Sequence, residues 1–126
     1  MKKKMDSTPE SLNSDLLATA VLRGYSGLVK NLLDAGVDVH AGNDRALRFA
    51  VRRPSAEIVR LLLDAGADVH ALSDYALRLA SGFGHHEIVN ILLDAGANVH
   101  AESDDALSIA IKNKHFFVAV LLSAAA

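Results

Sequence analysis

Several residue types are scarce in this chain, and each scarcity excludes a class of protein. Cysteine is absent from the 126 residues, which excludes disulfide frameworks, thiolate zinc sites and cysteine nucleophiles. Tryptophan is absent and aromatic residues make up only 5%, so any core must be built from aliphatic side chains. The net charge of -2 is far from the broad basic excess that a general nucleic-acid binder needs.

Long apolar runs are missing as well. Met1 is followed by Lys2, Lys3 and Lys4, which resembles the start of a signal peptide, but polar residues up to Ser14 follow where an apolar segment is required. No stretch has the length of a transmembrane helix. These absences predict a soluble protein of the cytoplasm or the nucleus that does not engage a membrane.

An internal repeat of 30 residues is the main feature that the sequence does contain. Residues 44–73 and 74–103 are identical at 18 of 30 positions without a gap. The period continues in both directions, which predicts three full repeats at 14–43, 44–73 and 74–103 and a truncated one at 104–126. Residues 1–13 are interpreted as an N-terminal tail with a capping turn, and 14–126 as one repeat domain.

Each repeat predicts two short helices. Asp44, Asp74 and Asp104 are expected to cap the first helix of their repeats, because a short carboxylate satisfies exposed N–H groups. The second helices are predicted over roughly 57–64 and 87–94, where apolar residues recur at helical spacing. Gly36, Gly66 and Gly96 end the second helices. Helix pairs of this size bury their apolar faces only by stacking on neighbours.

The amino terminus has its own helix signal. Thr8, Pro9 and Glu10 provide a cap residue, a proline at the first helical position and an acid in the first turn. They predict a helical turn from about Pro9 that is broken near Asn13 and Ser14. Residues 1–7 are expected to be mobile.

These residues carry a resemblance to the ankyrin repeat. The clearest match is ASGFGHHEIVNILLDAGANV, residues 80–99, and the resemblance extends over residues 14–126. It implies an all-α solenoid of about four stacked helix-turn-helix repeats. The 30-residue period is three residues shorter than the usual unit, so the β-hairpin fingers of the family are expected to shrink to tight turns. Pro54–Ser55 also replaces the family's Gly-His in the second repeat.

No metal, cofactor or catalytic site is predicted. His40, His70 and His100 recur at one position, but equivalent atoms of stacked helices lie roughly 10 Å apart, too far for zinc bonds of about 2 Å. Each imidazole is therefore expected to bond to nearby backbone. His85 matches the family's Gly-His, which links successive repeats. Arg48 and Arg78 are interpreted as intramolecular. No serine lies in a nucleophile elbow and no phosphate loop is present.

The positions that vary while the frame repeats form the candidate binding surface. The resemblance implies that partners contact the turn tips and the concave side of the first helices, since this is the usual contact face of the family. Tyr, Arg and Phe are effective interface anchors, and Arg52 and Arg53 are expected to lie close to Tyr75 and Phe83, one repeat further on. The candidate partner-binding residues are Arg23, Arg45, Arg52, Arg53, Leu72, Tyr75, Phe83, Glu102, Asp105 and Lys112.

The sequence leaves two functions open and excludes catalysis as the expected role. The first is a non-catalytic scaffold that binds another protein, and not nucleic acid, through the concave face and the turn tips. The second is a structural or self-associating repeat unit, either an array fragment or a designed repeat protein, without a dedicated partner. The last helix is apolar for a terminal repeat, whose outer face is normally polar, and this favours weak end-to-end association.

Overall fold

The structure, a computed structural model, describes residues 10–126. The predicted turn at Thr8–Pro9 and the expected mobility of residues 1–7 lie outside this range. Within it the chain forms eight helices and no strand. They are α1 Glu10–Arg23, α2 Ser26–Asp34, α3 Ala41–Ala50, α4 Ala56–Asp64, α5 Ala71–Phe83, α6 His86–Asp94, α7 Ala101–Lys112 and α8 Phe116–Ala125.

The helices form four consecutive pairs that stack in two layers. Helices α1, α3, α5 and α7 pack one against the next in the first layer, and α2, α4, α6 and α8 do the same in the second. The predicted all-α solenoid of four stacked repeats is therefore confirmed.

The core lies between the two layers and consists of small and aliphatic side chains. Leu62 and Leu92 of the second helices are fully buried, as are Leu47 and Leu77 of the first helices. Alanines at matched positions of α3, α5 and α7 let the first helices approach closely. The second helices end as expected, because Gly36, Gly66 and Gly96 adopt φ angles between 90° and 98°, a region that disfavours residues with a Cβ.

The turn tips of the last three repeats share an unusual backbone. Residues 42–44, 72–74 and 102–104 each adopt three consecutive left-handed conformations, with φ between 52° and 65°. Such a turn reverses the chain in three residues, which explains how the repeat closes without a hairpin. For a residue other than glycine this conformation costs roughly 1–2 kcal/mol, so other contacts must hold it in place.

In the second and third repeats those contacts come from Arg48 and Arg78, whereas the fourth repeat has Ser108 at this position. Arg78 Nε and Nη2 donate hydrogen bonds of 3.1 and 3.0 Å to the carbonyl oxygens of Ser73 and Leu72. Arg48 does the same for Asn43 and Gly42 at 3.2 and 2.8 Å. The prediction that these arginines act within the chain is confirmed. They donate hydrogen bonds to the carbonyl oxygens that the left-handed turn leaves exposed.

The N-terminal helix corrects one prediction. Helix α1 runs without interruption from Glu10 to Arg23, so the break expected near Asn13 and Ser14 is wrong. No proline or glycine lies between these ends, and nothing interrupts the backbone ladder. The proposed boundary between residues 13 and 14 thus falls inside a helix.

The repeated aspartates correct another prediction. Asp44 and Asp74 are buried, and each carboxylate accepts a hydrogen bond from the backbone N–H 24 residues later, on Asp68 and Asn98 respectively. They thus tie successive turn tips together, whereas we expected them to cap their own helices. The left-handed φ angle of each aspartate directs its side chain towards the next repeat.

The repeated histidines also differ from the expectation. The Nδ1 atoms of His40, His70 and His100 lie 3.1, 2.9 and 2.6 Å from carboxylate oxygens of Asp44, Asp74 and Asp104. Each imidazole therefore donates to a side-chain carboxylate four residues later, and the prediction that it bonds to backbone is wrong. The sequence spacing of four residues was visible, but the left-handed turn that brings the two side chains together was not.

Candidate functional site

The exposed side of the layer formed by α1, α3, α5 and α7 is called the first-helix face below. It arises because Ala46, Leu47 and Ala50 of α3 are buried, so the residues on the opposite side of the helix point outward. The equivalent residues of α5 and α7 repeat this arrangement at intervals of 30. The turn tips adjoin the face at the start of each of these helices.

An apolar stripe runs along the first-helix face at one repeat position. Phe49, Leu79 and Ile109 occupy it, and all three are half-buried. Ile109 packs over the preceding repeat, since a Cβ placed on Gly82 would lie 3.4 Å from its Cγ1 atom. These residues were not among the candidates predicted from the sequence. An apolar residue every 30 positions, on an otherwise polar side of the helix, would have indicated the stripe.

Guanidinium groups border this stripe. The Arg52 guanidinium lies 5.6 Å from the centre of the Phe49 ring, and that of Arg78 lies 5.2 Å from the centre of the Tyr75 ring. Both distances are within the range of cation–π attraction. The two central repeats thus present aromatic rings beside positive charge, but the pairs are Arg52 with Phe49 and Arg78 with Tyr75, and not Arg52 with Tyr75.

Two candidate residues are already engaged in ion pairs between repeats. Arg45 of α3 pairs with Asp15 of α1, and Asp105 of α7 pairs with Arg78 of α5 at 3.5 Å. All four side chains keep some exposure, so these pairs contribute little to stability. A partner that binds Arg45 or Asp105 must compete with these existing contacts.

Arg53 lies elsewhere than the sequence analysis suggested. Its Nη1 atom donates a 3.0 Å hydrogen bond to the Leu22 carbonyl oxygen of the first repeat, and its guanidinium packs on Gly24. Arg53 therefore points away from Phe83, to which we expected it to lie close. Pro54–Ser55 removes the histidine that occupies this position in the third and fourth repeats, and Arg53 fills the space.

Phe83 and Arg52 both contact His85. The Phe83 and His85 rings are stacked with centres 5.5 Å apart, and His85 Nε2 lies 3.2 Å from the Arg52 carbonyl oxygen. This contact shows His85 linking the second and third repeats, as predicted. Phe83 remains about half exposed at the end of α5.

The other candidates are exposed at the turn tips or at the helix ends. Arg23 and Lys112 end α1 and α7, while Leu72 and Glu102 occupy left-handed positions of the turns. The exposed candidates are Arg23, Arg52, Arg53, Leu72, Phe83, Glu102 and Lys112.

The histidine–aspartate pairs are the side-chain arrangement in this structure that most suggests acid–base chemistry. The hydrogen bond that His70 donates to Asp74 raises the pKa of His70, partial burial opposes this, and the charges of Asp74 and Asp68 add to it. Each of these carboxylates serves a structural contact. No cluster of three or more histidine, cysteine, aspartate or glutamate side chains suited to a metal ion occurs among residues 10–126.

The comparisons with known proteins agree with this architecture. The family model for the ankyrin repeat matches residues 45–74 and 74–104, which together span the two central repeats. No curated protein matches the chain. In the part of the chain that the structure describes, no helix is long and apolar enough to cross a membrane.

Proposed function

Since the chain belongs to the ankyrin repeat family, we propose that it is a non-catalytic scaffold whose protein partner docks on the first-helix face. Ankyrin repeats are generally protein-interaction modules without catalytic activity. We place the partner over the second and third repeats, with contacts to the turn tips.

The observation that carries this proposal is the stripe of Phe49, Leu79 and Ile109 with its border of Arg52, Arg78 and Tyr75. An apolar strip beside guanidinium groups suits a segment that has an apolar anchor and flanking carboxylates. The acids at the next turn tip, Glu102 and Asp104, disfavour nucleic acid because they repel phosphate.

The rigidity of the face supports the proposal. The backbone beneath it is fixed by the stacked helices and by the Arg48 and Arg78 bonds to the turn carbonyls. A surface that is ordered before binding loses little conformational entropy when a partner docks. Affinity then depends on a few well-placed side chains, for which Tyr75 and Phe83 are the leading candidates.

The test is quantitative affinity capture from cell lysate with matched variants. We expect Tyr75→Ala or Phe83→Ala to weaken capture of the main partner at least tenfold, about 1.4 kcal/mol, with little change in melting temperature. Arg60→Ala is the control, because Arg60 is an exposed residue of α4 in the other layer. If Arg60→Ala abolished capture while the aromatic variants kept it, the binding site would lie on the second-helix layer and the proposal would be wrong.

A self-associating repeat unit is the second candidate function. The specific observation that favours it is the exposure of Phe116 and Val120 on the last helix. These side chains lie on α8, outside the first-helix face, so the two functions are compatible and can be tested separately.

A further inference from the structure

The last repeat carries apolar residues where the central repeats carry polar ones. Val120 corresponds to Arg60 and Asn90, and Phe117 corresponds to Glu57 and Glu87. Phe116, Phe117 and Val120 are 60%, 59% and 63% exposed. Phe116 and Val120 replace His86 and Asn90 of the third repeat, and exposed apolar side chains of this kind mark a contact surface, whereas Phe117 lies against His86.

The adjoining edge of α7 is open as well. Ile111 corresponds to Val51 and Ser81, which are fully buried by the following repeat, whereas Ile111 is 51% exposed. Together with parts of α8 it lines one apolar groove, which we call the tail face. The tail face consists of Leu107, Ile111, Phe116, Ala119, Val120, Ser123 and Ala124.

We propose that the tail face binds the tail face of a second copy of this chain, forming a weak two-fold dimer. Phenylalanine offers up to about 200 Å² of surface, so Phe116 with Ile111, Val120 and their smaller neighbours leaves roughly 400–500 Å² per copy. Two copies bury on the order of 900 Å², which is typical of a weak, reversible dimer. The proposal deepens the second candidate function and does not depend on the first.

Charge along α7 fits an antiparallel arrangement. The exposed Asp104 lies in its first turn and the exposed Lys112 in its last, with Ser108 midway between them. A two-fold axis near Ser108 brings Asp104 of each copy towards Lys112 of the other. The eight residue steps from Asp104 to Lys112 span about 12 Å, so both ion pairs lie at the rim of the apolar contact.

The opposite end of the solenoid fits the tail face poorly. Ala46, Ala76 and Ala106 allow close stacking, but the first repeat has Leu16 at this position, 44% exposed. A larger side chain at a close-packed position disfavours stacking. Helix α1 also has Asp15 near its start and Arg23 at its end, so parallel stacking on α7 sets like charges side by side.

The first test is sedimentation velocity over a range of protein concentrations. We expect a monomer–dimer equilibrium, and we expect the double variant Phe116→His/Val120→Asn, which installs the residues of the third repeat, to raise the dimer dissociation constant at least tenfold. Phe117→Glu is the matched control. It removes an equally exposed phenylalanine outside the groove, against His86, and is expected to leave the equilibrium unchanged.

A charge exchange tests the orientation. Lys112→Asp alone sets acid against Asp104 of the other copy and is expected to weaken the dimer several-fold. Asp104→Lys combined with Lys112→Asp restores opposite charges in the antiparallel arrangement and is expected to recover the wild-type dissociation constant. A double variant that stays as weak as Lys112→Asp overturns the two-fold arrangement.

The remaining outcomes each overturn the proposal. They are a monomer at all concentrations up to roughly 1 mM, open-ended polymers that Leu16→Ala alters, and a monomer that co-sediments with phosphatidylcholine–phosphatidylserine vesicles through Phe116. Loss of the dimer in Phe116→His/Val120→Asn with partner capture intact supports the tail face and leaves the first-helix proposal standing. Loss of capture with the dimer intact refutes the first-helix proposal alone.

Discussion

The third and fourth repeats share one frame but differ in how their equivalent residues are buried. Asp74 is buried and bonded to the next turn, whereas Asp104 is exposed and bonds to His100. Ser81 is fully buried, whereas Ile111 is half exposed. A residue's contribution to the stability of a solenoid therefore depends on the neighbouring repeat as much as on its own repeat.

The largest expected contrast concerns the cores of these two repeats. Leu92→Ala is expected to cost about 2–5 kcal/mol of unfolding free energy, because α6 is packed between α4 and α8. Leu122→Ala is expected to cost less, because α8 has a neighbouring second helix on only one side. Urea unfolding of both variants measures the difference, and a loss below about 0.5 kcal/mol for Leu92→Ala would contradict the stacked fold.

The next contrast concerns the buried and the exposed aspartate. Asp74→Ala leaves the Asn98 N–H without its acceptor and is expected to cost about 1–3 kcal/mol. Asp104→Ala removes only the exposed contact with His100 and is expected to stay within about 0.5 kcal/mol of wild type. Equal losses in thermal or urea unfolding would show that the tie between turn tips contributes nothing.

A smaller effect of opposite sign is expected inside the third repeat. The Ser81 hydroxyl is buried and has no hydrogen-bond partner, while the equivalent Val51 is apolar. Ser81→Ala is therefore expected to stabilise the protein by about 1 kcal/mol. The exposed Ser108→Ala serves as the control, and a destabilised Ser81→Ala protein would show that the hydroxyl is satisfied.

The smallest effect is a dependence of stability on pH. The hydrogen bond that His70 donates to Asp74 raises the pKa of His70 in the folded state. The resulting stability is present below the unfolded-state pKa of about 6.5 and is lost as the pH rises through the folded-state pKa. The melting temperature of wild type relative to His70→Gln is therefore expected to be higher at about pH 5.5 than at about pH 8.5, by a small margin because the imidazole is exposed. An advantage that grew with pH would reverse the assigned sign.

The periodic parts of the molecule could be predicted from the sequence, and the contacts between repeats could not. The apolar spacing and the terminal glycines located the second helices to within one residue, and the strict period gave the stacking. The left-handed turns carry no propensity signal, since Leu72 and Glu102 rarely adopt such angles. The direction of the Asp74 side chain depends on the N–H group of Asn98, 24 residues away. The orientation of Arg53 depends on the absence of a histidine at position 55, which leaves space for the guanidinium.

The candidate site was predictable in the same uneven way. Variation against a constant frame selected Arg52, Tyr75 and Phe83 as candidates, and their role in binding stays a prediction. It did not include the stripe of Phe49, Leu79 and Ile109, because the candidates were chosen for variation between repeats and this position is apolar in all three. It also brought Arg53 close to the wrong repeat, because side-chain length lets an arginine reach backwards as easily as forwards.

One backbone carbonyl oxygen per repeat affects how well the junctions between repeats tolerate amino-acid substitution. The carbonyl oxygens of Leu22, Arg52 and Gly82 are 30 residues apart, and they accept hydrogen bonds from three different donors of the following repeat: Arg53, His85 and Asn113. The constant element of the junction is an acceptor that no substitution can delete. The donor can differ from repeat to repeat, as long as it is a nitrogen-bearing side chain that reaches the oxygen. Such junctions can persist after the recognisable Gly-His signature has been lost, so sequence divergence at these positions overstates the divergence in structure.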